Sequence, residues 1–198
     1  MLQKPSQRRK KLAERDNLSK LFRDEAARKI AQYDDDLLEF YAQLRSNNRQ
    51  LTIAGFWPIR SEIDVRWLLR ALERRGHKLA LPAVINKTNM VFRNFAFDRQ
   101  TNLVPSDFGI KCPASYCGEC EPDMILLPLA AFDNLGHRLG YGGGYYDRAI
   151  AMMREKGFDP LLIGVGFCAQ SVDRVATDVF DVAMDAILTE LGLCRIHS

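Results

Sequence analysis

The sequence feature that most constrains the fold is an apolar run, DMILLPLAAF, from Asp123 to Phe132. Only its first residue is charged, and an uninterrupted run of this kind is typical of a strand that is covered on both faces. Comparable runs recur as LTIAGFW (51–57), KLALPAV (78–84), MVFRNFAF (90–97), LLIGVGF (161–167) and MDAILTE (184–190). Segments with helical spacing separate several of these runs. Helices that alternate with buried strands predict an α/β fold with a mainly parallel sheet.

Apolar residues at helical spacing predict two N-terminal helices joined near the acidic stretch 34–36. The residues that carry this spacing are Leu18, Phe22, Ala26, Ile30, Tyr33, Leu37, Tyr41 and Leu44. Pro5 suits the first turn of a helix, so one interpretation of the basic end is a further helix that begins at Lys4. The alternative, which the sequence alone favours, is a frayed and solvated segment. We expect one domain over residues 1–198, with helices in residues 1–48 packed on the α/β core.

Two later segments also have the pattern of helices. Ser61 and Asp64 resemble a capping box, and Gly76 suits the end of the helix that follows. The apolar stripe predicted for this helix consists of Ile63, Trp67, Leu68 and Leu72. A second helix is predicted over residues 145–156, directly after a glycine-rich segment.

Composition excludes several classes of protein. The net charge of +3 is mild, and it favours an anionic ligand at least as readily as nucleic acid. No apolar run reaches membrane-spanning length, and the charged N-terminus has no apolar segment behind it. We therefore expect a cytoplasmic protein that binds neither membrane nor nucleic acid.

The cysteines give a weaker signal. Five are present, an odd number that argues against a disulfide scaffold. Cys112, Cys117 and Cys120 have the spacing C-x4-C-x2-C, which is part of some zinc and iron–sulfur motifs, but the remainder of such a motif does not follow. Reduced thiols are the favoured interpretation of this loop.

The segment RLGYGGGYYDR, from Arg138 to Arg148, is the strongest candidate for a functional site. It follows a predicted buried strand and opens a predicted helix, which is where α/β proteins bind ligands. Glycines before a helix N-terminus leave backbone N–H groups open to an anion, typically a phosphate. The segment does not match the P-loop or the dinucleotide-binding motif. A flexible or strained turn therefore remains the alternative on this evidence.

Charged residues beside the glycines favour a phosphate site. Arg138 precedes the glycines and suits a phosphate oxygen, whereas Asp147 follows them and suits Mg²⁺ bound to a nucleotide. Asp185 is a polar residue within an apolar strand, so a metal is one explanation for it and a solvated strand end is another. His137 is interpreted as a loop residue with its ring in solvent.

The longer segment LLPLAAFDNLGHRLGYGGGYYDR, from Leu126 to Arg148, closely resembles the signature of the 5-formyltetrahydrofolate cyclo-ligase family. GFWPIRSEIDVRWLLRALERRGHKLALPAV and DVAMDAILTE resemble flanking segments of that family. The resemblance implies a three-layer α/β/α fold related to ribose-phosphate isomerases and CoA transferases. It also implies an ATP- and Mg²⁺-dependent ligase that converts 5-formyltetrahydrofolate to 5,10-methenyltetrahydrofolate, ADP and phosphate. In the implied mechanism the formyl oxygen is phosphorylated and N10 then closes the ring.

The resemblance also implies roles for particular residues. Arg138 and Asp147 would be catalytic, Asp147 and Asp185 would hold Mg²⁺, and Trp57, Glu62 and Tyr145 would bind the folate. Lys4 and Arg8 match an N-terminal Lys-x-x-x-Arg that reaches the nucleotide. The remaining ATP contacts would come from Arg138, Leu139, Gly140, Tyr141, Gly142, Gly143, Gly144, Tyr145 and Tyr146. We expect a monomer.

Two other classes of function remain open at this point. The first is a relative on the same fold that has lost catalysis and binds RNA or folate, with the basic stretch 8–11 as its feature. Retention of Glu62, Arg138, Asp147 and Asp185 argues against it. The second is a sugar-phosphate isomerase or a CoA transferase on the same fold, because a fold does not determine a function.

Overall fold

The computed structural model describes residues 3–45, 49–97, 103–106 and 110–196. The predicted N-terminal region 1–48 therefore includes residues 1–2 and 46–48, which lie outside the described ranges. The α-helices are α1 (Lys4–Asp16), α2 (Lys20–Ile30), α3 (Asp34–Arg45), α4 (Arg66–Arg74) and α5 (Tyr145–Glu155). Within the described residues, none of the helices has the length and apolar character needed to span a bilayer.

A seven-stranded sheet forms the centre of the molecule, in the order β11-β10-β9-β6-β1-β2-β3. Its strands are β1 (Thr52–Ala54), β2 (Lys78–Val84), β3 (Met90–Phe95), β6 (Met124–Pro128), β9 (Leu161–Val165), β10 (Ala186–Thr189) and β11 (Gly192–Arg195). The five inner strands are mutually parallel, and only β11 and β3 at the two edges are antiparallel to their neighbours. The prediction of an α/β fold with a mainly parallel sheet is confirmed.

The alternation of side chains along the strands divides the core into two layers. Ile53 and Leu126 face the cluster built on α2, α3 and α4. Ala54 and Leu127 face the opposite cluster, to which α5 contributes Ile150. Helices therefore cover both faces of the sheet, which explains why its central strands are apolar at nearly every position.

The N-terminal region contains three helices where two were predicted. The predicted junction near residues 34–36 is a short 3₁₀ turn, Ala31–Tyr33, after which α3 begins at Asp34. The additional helix is α1, which begins at Lys4 with Pro5 in its first turn. The helical interpretation of the basic end is therefore the correct one.

The predicted start of α4 is wrong. The helix begins at Arg66, and the side chain that accepts its first free N–H is Asp64, whose Oδ1 lies 3.0 Å from the Arg66 nitrogen. Ser61 does not cap the helix because its hydroxyl is bonded to Arg15 and Asp16. Trp67, predicted to be in the apolar stripe, is 52% exposed. Gly76, at φ +87°, follows the end of the helix as predicted.

The edge strand β11 and three of the four short strands in two hairpins were not predicted. The fourth, Ala131–Phe132, lies in the run 123–132 that was predicted as one strand, but the central strand ends at Pro128. One hairpin pairs β4 (Leu103–Pro105) with β5 (Lys111–Pro113), and the other pairs β7 (Ala131–Phe132) with β8 (Arg138–Leu139). Strands of two or three residues are too short to show an alternating pattern. The second hairpin matters for function because β8 leads directly into the glycine-rich segment.

The central strand β6 gives a test of the packing. Leu126 is fully buried between β1 and β9, so Leu126→Ala should lower the free energy of unfolding by about 3 kcal/mol through the cavity it leaves. Urea denaturation followed by circular dichroism measures this change. Leu135→Ala is the matched control, because that side chain is 56% exposed and its removal should cost less than about 0.5 kcal/mol. Equal losses in the two variants would contradict the assigned core.

Candidate active site

The glycine-rich loop, defined as Gly140–Gly144, connects β8 to the first turn of α5. Arg148 in that turn donates from Nε to the carbonyl of Thr88, 2.8 Å away, in the turn that follows β2. The loop therefore lies at the carboxyl end of the parallel strands, the usual ligand-binding edge of such a sheet.

Two glycines in this loop have backbone conformations that other residues rarely adopt. Gly142 has φ +97° and Gly144, the residue that caps α5, has φ +62°. A Cβ on Gly142 would also lie 3.3 Å from Nη1 of Arg8. Because the N-cap residue is a glycine, it has no side chain that could accept a hydrogen bond from the first N–H groups of α5. The loop thus presents backbone donors and the positive end of a helix dipole.

Arg138 and Asp147 form a buried ion pair below the loop. Nη2 of Arg138 donates to Oδ1 of Asp147 at 2.8 Å, and Nη1 donates to the carbonyl of Val182 at 2.6 Å. The same Asp147 oxygen accepts the Val182 N–H at 3.2 Å. Arg138 is only 8% exposed, so these bonds offset the free-energy cost of burying its charge. The pair fixes Asp147 on the first turn of α5, beside the loop.

The N-terminal helix α1 reaches the glycine-rich loop. Nε of Arg8 donates to the carbonyl of Gly140 at 2.6 Å. Lys4 lies one turn earlier, and its ammonium group donates to Asp178 at 2.7 Å and to Asp181 at 2.5 Å. The structure therefore places Arg8 against the loop and Lys4 against the acidic segment that leads to Val182.

Glu62 approaches the glycine-rich loop from the segment between β1 and α4. Its Oε2 accepts the Ile59 N–H at 2.8 Å, and its carboxyl group is hydrogen-bonded to the Tyr141 hydroxyl. Burial raises the pKa of Glu62 above its ordinary value, although these two hydrogen bonds and the charge of Arg15 act in the opposite direction. The structure thus brings together Glu62 and Tyr141, two predicted site residues from distant parts of the chain.

The aromatic residues of the predicted site differ in their surroundings. Trp57 packs edge-on against Phe95, with ring centroids 6.2 Å apart, and the guanidinium of Arg66 lies 5.0 Å from its ring. The ring of Tyr145 lies 5.1 Å from the Arg148 guanidinium. Tyr146 packs against Phe92 in the α5 layer, and burial raises the pKa of its hydroxyl. All three side chains are partly exposed, and both tyrosines pack against the cluster on the α5 side of the sheet.

The structure does not bring Asp185 to Asp147. Oδ2 of Asp185 accepts the Leu162 N–H at 2.7 Å, at the amino end of β9. Burial raises the pKa of Asp185, and the charged groups around it are Asp159, Arg45 and Arg154. Arg154 is in the last turn of α5, about 10 Å along the helix from Asp147. The two carboxylates predicted to share a metal thus lie at opposite ends of the strands.

The cysteine loop lies away from the glycine-rich loop, against β3. Cys112 is buried on β5, and Cys120 approaches the carbonyl of Phe92 at 3.8 Å. Burial, together with the nearby Glu121 and Glu119, raises the pKa of the Cys120 thiol to about 11. That thiol is therefore protonated at neutral pH. All five cysteines of the chain are unpaired.

Two residues of structural importance to the site were missed by the sequence analysis. Arg15 is 1% exposed and bonded to Tyr141 and Ser61. Asp133 is fully buried in the β7–β8 turn and accepts N–H bonds from Leu135, His137 and Val175 at 2.9–3.0 Å. The only sequence signal was the Asp-x-x-Gly turn pattern at 133–136. His137, expected to be free in solvent, is half-exposed and bonded to Asp133.

The fold and these contacts define an α/β protein in which a glycine-rich loop at a helix N-terminus adjoins a loop that bears the partly buried carboxylate of Glu62. The sequence profile of one family matches residues 3–190 of the chain. The chain belongs to the 5-formyltetrahydrofolate cyclo-ligase family and is an enzyme of folate one-carbon metabolism. The family and the enzyme class predicted from the sequence are confirmed.

Several relatives share most of the chain. The 5-formyltetrahydrofolate cyclo-ligase of Haemophilus influenzae is 30% identical over 180 residues, which are 88% of this chain and 90% of the relative. The Escherichia coli K12 enzyme is 30% identical over 144 residues, 70% of this chain and 77% of the relative. Among solved structures, the 5,10-methenyltetrahydrofolate synthetase of Aquifex aeolicus superposes with a TM-score of 0.74 at 27% identity, covering 100% of this chain and 94% of that one. The 5,10-methenyltetrahydrofolate synthetase structure from Mycoplasma pneumoniae superposes with a TM-score of 0.69 at 26% identity. The superposition covers 96% of this chain and 99% of that one.

Asp133 provides a test of how the loop is held. Burial alone would raise the pKa of Asp133, but the N–H donors of Val175, His137 and Leu135 lower it below the ordinary value of 3.8. Asp133→Ala leaves these donors without an acceptor, so we expect a loss of about 3 kcal/mol in unfolding free energy at pH 7. Because the folded-state pKa is lowered, this difference should shrink as the pH falls through and below 3.8.

Urea titrations of the wild type and Asp133→Ala between pH 7 and pH 3 measure that difference. The exposed Asp173, in the same region of the surface, provides the control substitution Asp173→Ala, which should leave stability nearly unchanged at every pH. A constant difference between wild type and Asp133→Ala across this range would contradict the role of the ionised carboxylate.

Proposed function

We propose that this enzyme converts 5-formyltetrahydrofolate and ATP to 5,10-methenyltetrahydrofolate, ADP and phosphate. The observation that carries the proposal is the contact between Tyr141 of the glycine-rich loop and Glu62 of the neighbouring loop. The glycine-rich loop, which would bind the phosphates, thus meets the partly buried carboxylate of Glu62, whose pKa is raised by burial. Two substrates bound to these two loops would lie next to each other.

The nucleotide side of the site is the glycine-rich loop with its surrounding cations. Backbone N–H groups at the start of α5 would bind the phosphates, and Arg8 would hold the loop through the Gly140 carbonyl. The Arg138 guanidinium is occupied by Asp147 and Val182. Its role in this proposal is to orient Asp147 and to add positive charge below the phosphates.

Asp147 is the residue that fits a magnesium ion. Its Oδ1 is fixed by two donors, whereas within the described part of the chain no hydrogen bond ends on Oδ2, and the side chain is 22% exposed. Mg²⁺ commonly binds one or two carboxylates together with phosphate oxygens, and it neutralises charge on a transferring phosphoryl group. Asp185 does not fit, because its carboxylate is bonded to Leu162 at the other end of the strands.

Glu62 and Trp57 form the folate side of the site. A carboxylate can accept two parallel hydrogen bonds from the amino and ring N–H groups of a pterin, and Glu62 is partly buried, which strengthens such bonds. Trp57 is partly exposed beyond the end of β1 and offers a flat surface to a planar ring. Tyr145, at the start of α5, would border the folate and the phosphates.

The reaction requires the formyl oxygen to become a leaving group. In the proposed first step this oxygen attacks the γ-phosphorus of ATP, and the bond from that phosphorus to the ADP oxygen breaks. N10 of the folate then attacks the formyl carbon, and the carbon–oxygen bond breaks to release phosphate. The N10–H bond also breaks, its proton passing to the departing phosphate or to solvent, which completes the methenyl bridge. The protein contributes mainly by placing the formyl oxygen in line with the γ-phosphate and by neutralising charge.

The activity can be measured directly. Purified protein with 5-formyltetrahydrofolate, Mg²⁺ and ATP should show growth of the methenyl absorbance, and reactions that lack ATP should not. Release of one phosphate per methenyl product is expected from the proposed chemistry. Absence of ATP-dependent product would overturn the proposed function.

Asp147→Asn is the sharpest test of the metal assignment. The amide oxygen can still accept from Arg138 and Val182, so the fold should persist, but the charge that binds Mg²⁺ is lost. We expect turnover to fall by at least about a hundredfold, the size of effect of losing one group that stabilises charge in the transition state. The matched control is Asp185→Asn, which keeps the acceptor for Leu162 and should leave the Mg²⁺ concentration for half-maximal rate unchanged. A shift in that concentration for Asp185→Asn would restore Asp185 as a ligand.

The contribution of α1 to ATP binding can be separated from the effect of the net charge of the protein. Replacing Lys4 and Arg8 together by Ala should raise KM for ATP about tenfold, because charge-assisted bonds of this type contribute roughly 1.5–3 kcal/mol each before reorganisation. Arg9→Ala with Lys10→Ala removes the same charge from exposed positions of the same helix and serves as the control. Equal effects of the two double substitutions would mean that only net charge matters.

A further inference from the structure

We propose that Arg15 is a positioning residue that couples the binding of ATP to the binding of the folate. This inference rests on the proposed function, because it assigns one substrate to the glycine-rich loop and the other to the Glu62 loop. Arg15 would bind neither substrate. It would instead hold the two loops in register, so that each substrate binds more tightly when the other is present.

The burial of Arg15 requires an explanation. It is in the last turn of α1, it is 1% exposed, and it is the buried residue of a helix whose other side chains are at least partly exposed. Arginine is almost never fully buried unless its donors are paired. The hydrogen-bond partners of Arg15 therefore explain why this side chain is buried.

Those partners come from the two loops that the proposed function uses. Nη1 of Arg15 donates to the Tyr141 hydroxyl at 2.5 Å, and Nε donates to Oγ of Ser61 at 3.0 Å. Tyr141 belongs to the glycine-rich loop, and Ser61 directly precedes Glu62. One planar guanidinium thus connects both loops to α1.

Two further bonds close this arrangement. The Tyr141 hydroxyl, which accepts from Arg15, is also hydrogen-bonded to Glu62, and burial raises the pKa of that hydroxyl so that it stays protonated. The Ser61 hydroxyl donates to Asp16, the neighbour of Arg15 on α1. Each of the five side chains of the cluster therefore bonds to at least one side chain of another segment.

The consequence is that neither loop can shift alone. Phosphates that order the glycine-rich loop also fix the Tyr141 hydroxyl, and this hydroxyl fixes the Glu62 carboxyl that would bind the pterin. The same chain of contacts acts in the reverse direction, since coupling between two binding sites is reciprocal. The forked geometry of arginine matters because lysine, with a single ammonium nitrogen on a flexible stem, does not hold two acceptors at fixed positions.

The test measures the affinity of a non-hydrolysable ATP analogue with Mg²⁺, with and without 5-formyltetrahydrofolate, and the affinity of the folate with and without the analogue. In the wild type we expect each ligand to tighten the other by the same factor, about tenfold, within the usual range for coupled sites. In Arg15→Lys this factor should fall to about one to two. The control is Arg9→Lys, an exposed position on the same helix, which should keep the wild-type factor.

Tyr141→Phe provides a second variant that removes one oxygen and keeps the ring. If Arg15 acts through the Tyr141 hydroxyl, Tyr141→Phe should lower the coupling factor as much as Arg15→Lys does, and the double variant should lower it no further. Should Arg15→Lys fail to fold, as judged by circular dichroism and thermal unfolding, Tyr141→Phe alone decides the question.

Three outcomes overturn the inference. The wild type shows a coupling factor of one, or the folded variants keep the wild-type factor, or the affinities for single ligands collapse while the factor is preserved. The last result would make Arg15 a purely structural residue. All three leave the proposed function intact provided that both ligands bind the wild type and ATP-dependent product forms, whereas absence of binding and of product would refute the proposed function itself.

Discussion

The ion pair between Arg138 and Asp147 is the interaction on which the arrangement of the site depends. Arg138 begins β8 of the β7–β8 hairpin, Asp147 is in the first turn of α5, and Val182 belongs to the segment that leads to β10. A buried guanidinium without these partners would carry a large desolvation cost, so the three segments are held together. The path of the glycine-rich loop between Arg138 and Asp147 is fixed as a result.

The sheet supplies the frame for this pair, and the loops carry the residues that we propose bind the substrates. Parallel strands end at one edge, where the glycine-rich loop and the loop after β1 both lie. The N-terminal helix α1 then adds Arg8 to the first loop and Arg15 to the contact between the two. Residues that are far apart in the chain thus come together, since 126 positions separate Arg15 from Tyr141.

Features that depend on local pattern were predictable, and features that depend on distant partners were not. The run KLALPAV coincides with β2, since a strand buried on both faces is apolar at almost every position. Arg15 gave no signal, because a single arginine in a strongly basic helix resembles any solvated residue until its partners are known. Ser61 was assigned to a helix cap for the same reason, as the sequence does not show that Arg15 and Asp16 bind its hydroxyl. Asp185 resembled a metal ligand because the sequence shows a polar residue within an apolar strand. The sequence does not show at which end of the sheet that residue lies.

The polar character of the α1 interface has a consequence for the behaviour of the enzyme in salt. The contacts of this helix include Lys4 with Asp178 and Asp181, Gln7 with the Arg174 carbonyl and Lys11 with the Ala169 carbonyl, and its apolar contribution is Leu12, packed beside Val175. Exposed ion pairs weaken as ionic strength rises, whereas the apolar contacts of the sheet do not. Rising ionic strength should therefore weaken the Lys4 ion pairs of α1 before it weakens the apolar contacts of the sheet.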